Sequence, residues 1–140
     1  MKKILFTSIL LLSFNSFAAV KNKYPVIRVI DGDTVEIQAT FLPPPLKPVL
    51  SVRIYGVDTP EKGFRAECKE EAVKAEEATK FTKSLIQQSV RQTVVFMSWD
   101  KYGGRVIGDI LLDGRSLRKS LIDSGHAREY QGEKKQSWCD

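Results

Sequence analysis

The chain has 140 residues, a formal net charge of +5, two cysteines and one histidine. That length fits one domain with a modest core and argues against a second, while so few soft ligands make a tetrahedral zinc site the weaker use of the cysteines. The mild basicity suits a polyanionic partner, and ordinary solubility accounts for it equally well.

Lys2 and Lys3 precede an apolar stretch over residues 4–12, and Ser16-Phe17-Ala18 follows with small residues at its outer positions. This is the pattern of a secretory signal peptide cleaved after Ala18. Ser13, Asn15 and Ser16 interrupt the apolar run well short of the roughly twenty residues a membrane span needs. Loss of residues 1–18 leaves a single domain of 122 residues, 19–140, with a charge near +3. The expectation is a soluble monomer, periplasmic or secreted, with no membrane attachment after cleavage. In an oxidising compartment Cys68 and Cys139 are expected to be bridged.

Residues 26–30 and 34–38 are β-rich and flank Asp31-Gly32-Asp33, a tight connection between antiparallel strands. Residues 41–48 carry four prolines, so this stretch reads as a stiff, extended loop. A third strand covers residues 49–57. Over residues 67–88, Cys68, Ala72, Ala75, Ala78, Phe81 and Leu85 recur at spacings of three and four, predicting one amphipathic helix. Residues 93–99 and 105–112 are strands joined by Asp100-Lys101-Tyr102-Gly103-Gly104. Ser116 caps a short helix over 117–124 that Gly125 ends in a left-handed conformation. The tail from Glu129 is polar and reads as irregular. Five short strands with a helix between the third and fourth match the order of an OB-fold, an α+β, mainly β architecture. Function has to come from side chains.

Asp31-Gly32-Asp33-Thr34 starts like an EF-hand loop, but Val35 and Glu36 stand where that loop needs an oxygen ligand and glycine. A second acidic cluster, Asp58-Thr59-Pro60-Glu61, ends the third strand. Carboxylates alone repel phosphodiesters; holding a hard cation such as Ca²⁺ or Mg²⁺, they serve its hydrolysis. Arginine adds a planar, permanently charged fork for phosphate, and Arg53 and Arg105 are the candidates. Arg53 precedes Asp58 by five residues, so a bend near Gly56 is needed to bring them together.

Three ordered segments, Val29-Ile30-Asp31-Gly32-Asp33-Thr34-Val35, Val52-Arg53-Ile54-Tyr55-Gly56-Val57-Asp58-Thr59-Pro60-Glu61 and Asp100-Lys101-Tyr102-Gly103-Gly104-Arg105, resemble the signature motifs of the thermonuclease (staphylococcal nuclease-like) family. The resemblance implies a five-stranded OB-fold barrel with about three helices and calcium-dependent hydrolysis of DNA and RNA that leaves 3′-phosphate ends. It implies Asp33, Asp58 and the Thr59 carbonyl as calcium ligands, with Asp31 in an outer shell. It implies Arg53 and Arg105 as catalytic arginines and Glu61 as the group that orients or deprotonates the attacking water. Tyr102, and more loosely Tyr130, resemble residues that pack on the nucleotide. The third motif has two glycines before its arginine where the type member has one, so either a one-residue bulge keeps Arg105 in place, which is the expectation, or the site lacks this arginine. A non-catalytic nucleic-acid-binding module of this fold would be marked by loss of these acids or arginines, and all are present. An oligosaccharide-binding OB domain leaves both arginines and paired acids unexplained.

Overall fold

The computed structural model describes residues 22–139. The predicted signal peptide lies outside them. β1 (Val26–Val29) and β2 (Thr34–Gln38) form the expected hairpin, closed where Ile30 N donates to Thr34 O. β3 (Val49–Ile54) pairs antiparallel with β2, placing Thr34 opposite Arg53. Side chains alternate across a strand, so β3 buries Leu50, Val52 and Ile54 and turns Ser51 and Arg53 to the other face. The predicted third strand does not run on to residue 57. It breaks at Tyr55-Gly56, where Gly56 has φ 62°, and resumes as β4 (Val57–Asp58). A side chain at that φ is strained, so glycine is what permits the bend.

β5 (Gln92–Trp99) and β6 (Arg105–Leu112) are antiparallel, and β6 runs parallel to β3, which gives the order β1-β2-β3-β6-β5 with β7 (Arg115–Ser116) paired to β6. The ends of this curled sheet approach where Gln92 Oε1 accepts from Val26 N at 3.2 Å. The result is a partly open, OB-like barrel. Val35, Ile37, Leu50, Val52, Ile54, Ile110, Leu117 and Leu121 fill it, none more than 2 % exposed. Each large aliphatic side chain buried in this way contributes about 1.5–3 kcal/mol.

Helix α1 (Lys69–Gln88) and helix α2 (Leu117–Asp123) pack on the sheet, and a 3-10 turn covers Gly63–Arg65; among the described residues there are two α-helices rather than three. Ser116 caps α2 by accepting from Lys119 N, and Gly125 follows at φ 76°, both as expected. The stripe predicted for α1 is corrected in two ways. Cys68 is the N-cap, with an extended backbone, not a helical residue. The most buried face is Glu71, Ala75, Ala78, Thr79, Thr82 and Ile86. Polar groups can face inward here because they have partners: Thr82 donates to Gly32 O at 2.7 Å, and Glu71 accepts from the backbone of Glu61 and Glu67. Ala75 and Ala78 give close approach, and a Cβ on Gly32 would stand 2.9 Å from that of Ala78. No helix of the described residues is long and apolar enough to cross a membrane.

The proline-rich stretch is not extended. It folds through turns in which Leu42 N donates to Ala39 O and Leu46 N to Pro43 O. The tail is also more structured than its polarity suggests. β8 (Arg128–Glu129) pairs antiparallel with β4, Trp138 is buried, and Cys139 is bonded to Cys68. Cross-linking residues 71 positions apart removes loop entropy from the unfolded chain worth roughly 4 kcal/mol. A Cys68→Ser, Cys139→Ser protein should therefore unfold at lower denaturant by up to that free energy, measured by paired urea titrations. Equal stability of the two proteins would show the bridge to be idle.

Candidate active site

Asp33 follows the first turn and is 3 % exposed. Its Oδ2 accepts from Arg53 Nη1 at 2.6 Å and its Oδ1 from Thr34 Oγ1 at 2.9 Å. Burial pushes its pKa up to about 6, with Arg53 pulling the other way and the Asp31 charge adding to the rise. The other arm of Arg53, Nη2, reaches Val57 O at 3.3 Å across the Gly56 bend. One guanidinium thus ties the first motif to the residue before Asp58, as the spacing required.

Asp58, 4 % exposed, has its two carboxylate oxygens in different company. Oδ2 accepts from the indole Nε1 of Trp138 at 3.0 Å. Oδ1 is buried, and Lys135 Nζ stands 2.7 Å away as its ion-pair partner. The same ammonium is 3.3 Å from Glu61 Oε1. Burial lowers the pKa of Lys135, but Asp58 and Glu61 outweigh it and the net displacement is upward. Glu61 also faces Arg65 Nε at 3.5 Å, and its backbone is held by Glu71.

A cleft of about 720 Å³ brings together Asp31, Asp33, Arg53, Thr59, Glu61, Tyr102, Arg105 and Tyr130. Asp58 does not line it. Asp58 faces an adjoining cavity of about 470 Å³ together with Trp138, and Thr59, Glu61 and Lys135 border both spaces. Among the described residues, Asp33, Asp58 and Glu61 do not form a tight three-carboxylate cluster. The one close acidic group, Glu67 and Glu71 with Cys139, has its sulfur committed to the disulfide. The Asp33 and Asp58 pair is nonetheless chemically suited to a hard cation: both carboxylates are buried, and each already holds a cationic side chain, Arg53 on Asp33 and Lys135 on Asp58.

Arg105 reaches the cleft despite the additional glycine. The turn absorbs it, with Gly104 at φ 75°, and the irregularity in the β5–β6 ladder falls on the partner strand between Phe96 and Ser98 instead of before Arg105. Arg105 Nε donates to Asp100 Oδ2 at 2.6 Å and its guanidinium lies 4.8 Å from the Tyr102 ring centre. Although burial alone would raise the pKa of Asp100, contact with Arg105 holds it below the usual carboxylate value. The sequence places Asp100 in a turn and gives no sign of its hold on Arg105. Nor does it mark Trp138 and Lys135, which sit in a tail that offers no periodicity.

Fold and cleft together define an OB-like barrel that carries two arginines and a set of carboxylates in one groove. The staphylococcal nuclease homologue family matches residues 51–138. The chain belongs to that family. An Escherichia coli protein named as an uncharacterized endonuclease is 28 % identical over 107 residues, 76 % of this chain and 60 % of that protein, so the chain spans about three-fifths of the relative's length.

Asp100→Asn should release Arg105 from its position without disturbing the core, since it removes a charge and keeps the shape. Cleft-dependent activity should fall about tenfold, the scale of one charged hydrogen bond. Turnover of Asp100→Asn equal to that of the unaltered protein, in single-turnover assays, would show that Arg105 is placed without it.

Proposed function

We propose that this chain is an exported, calcium-dependent endonuclease that hydrolyses the phosphodiester bonds of DNA and RNA as a monomer and leaves 3′-phosphate ends. The observation that carries this reading is the convergence of Arg53, Arg105 and Glu61 on one cleft beside the buried Asp33 carboxylate. The endonuclease name of the Escherichia coli relative favours the same class of reaction. The N-terminal leader pattern and the cysteine bridge support an oxidising destination, periplasmic or extracellular.

Asp33 and Asp58, with the Thr59 carbonyl, would hold the calcium ion, and Asp31 would act from an outer position. When bound, such an ion polarises a phosphate oxygen as a Lewis acid. Arg53 and Arg105 bring forked donors whose charge persists through the reaction, suited to the oxygens of a five-coordinate phosphorus. Release of one Arg53 arm from Asp33 toward phosphate keeps the guanidinium paired with an anion throughout. Glu61, on the short segment after Pro60, orients or deprotonates the attacking water. Tyr102, at the exposed rim, and Tyr130 offer ring faces to a base or sugar.

Nicking of plasmid DNA and cleavage of RNA should require calcium and stop with excess chelator; binding of either without cleavage at any calcium level would establish a non-catalytic module instead. Asp33→Ala and Asp58→Ala should each weaken calcium binding as well as turnover. Unchanged affinity by calorimetry in both would move the metal site elsewhere. Glu61→Gln should retain substrate binding while losing about 10²- to 10⁴-fold in turnover, the span of general-base assistance. Single-turnover cleavage across pH reads this directly, and an unaltered rate and profile would remove Glu61 from the chemistry.

A further inference from the structure

The tail is tied down on both sides of Lys135. Upstream, β8 pairs with β4, and Tyr130 N donates to Gly56 O at 3.0 Å. Downstream, Cys139 is bonded to Cys68 at the start of α1, and Lys74 Nζ donates to Trp138 O at 2.7 Å. Trp138 is buried beneath Arg128, whose guanidinium lies 3.8 Å from the ring centre, and its indole N–H holds Asp58 Oδ2. With the carboxylate fixed through that oxygen, the buried Oδ1 is directed at the Lys135 ammonium, which also faces Glu61.

We propose that the disulfide-clamped tail makes Lys135 a resident cation on Asp58 and Glu61, which a divalent metal must displace before these acids can serve it. This rests on the reading of Asp58 as a metal ligand. Calcium–oxygen contacts are about 2.3–2.6 Å, and the ammonium already stands 2.7 Å from Oδ1. A metal and an ammonium sharing that oxygen would set like charges side by side, so the two exclude one another. A buried carboxylate needs a cation, and the tail supplies a monovalent one until a divalent one arrives. The lysine side chain is 43 % exposed, which leaves it free to swing away. Tyr130, whose ring centre is 5.7 Å from Nζ, lines the main cleft beside it. Apparent calcium affinity is therefore set partly by a residue that does not ligate calcium.

Two measurements on the mature, disulfide-bonded protein test this. Calorimetric titration with calcium should show Lys135→Met binding about three- to tenfold more tightly than the unaltered protein, the range a partly exposed ion pair commands. The alkyl stem is retained, and the position is exposed, so folding is not at stake. Because removing any nearby positive charge would help a metal, the second measurement reads displacement itself. Amine acylation followed by mass spectrometry should find Lys135 labelled slowly without calcium and faster as calcium is raised, with sodium at matched ionic strength leaving the slow rate unchanged. Labelling that is unaffected or suppressed by calcium overturns the proposal, as does unchanged or weaker calcium binding by Lys135→Met. If calcium binds and supports nicking while Lys135 fails both tests, the nuclease reading stands alone. Calcium binding to neither protein overturns both.

Discussion

Two carboxylates buried in the wall of one small barrel, Asp33 and Asp58, need cations, and much of the surrounding structure answers that need. Burial alone drives Asp33 toward its neutral form, and Arg53 at 2.6 Å opposes it. An isolated ionised carboxylate in such a place is unfavourable by several kcal/mol, so its partner is a condition of the fold as much as of the site. Arg53 can meet this condition because β2 and β3 are in the register that sets Thr34 opposite it. Its second arm then anchors the chain beyond the Gly56 bend.

The barrel supplies a rigid floor, and strand ends and less regular segments place the charged groups on it. Asp33 and Asp58 sit at ends of strands, Arg53 and Arg105 project from strands running parallel to one another, and Glu61 rides on a short connection that α1 fixes through Glu71. This division follows from satisfaction of the backbone. Ladder hydrogen bonds hold the strands, so loop residues held by side-chain bonds can present charge without opening the core. Gly32 packs against Ala78 and accepts from Thr82, which locks the first acidic turn onto the helix. Asp100 does for Arg105 what Asp33 does for Arg53, so each arginine has a carboxylate that orients it.

The C-terminal tail is what sets this barrel apart from a bare strand-and-helix frame. Its last residues return to the start of α1, and on the way they lay an indole and an ammonium on Asp58. A single covalent bond between residues far apart in sequence therefore reaches into the acidic groove. The composition of this segment, polar and without alternation, gives no warning of that, since it is held by one disulfide, one buried ring and a few hydrogen bonds instead of a repeating pattern.

Elements governed by neighbours in the chain were legible from the residues alone: the hairpin around Asp31-Gly32-Asp33, the long helix, the Ser116 cap, the left-handed Gly125 and the strands on either side of the Tyr102 turn. The three ordered motifs supply residues that meet in one cleft, Asp33, Arg53, Glu61 and Arg105 among them. The cysteine pairing followed from there being two. The helix face was misjudged because a search for apolar spacing cannot see Glu71 and Thr82, which are buried through hydrogen bonds. Placement of Asp58 in a second cavity, the grip of Trp138 on it and the approach of Lys135 belong to the tertiary structure alone. They join residues 77 to 80 positions apart, and at that separation it is the folded path of the backbone, not local propensity, that decides which side chains meet.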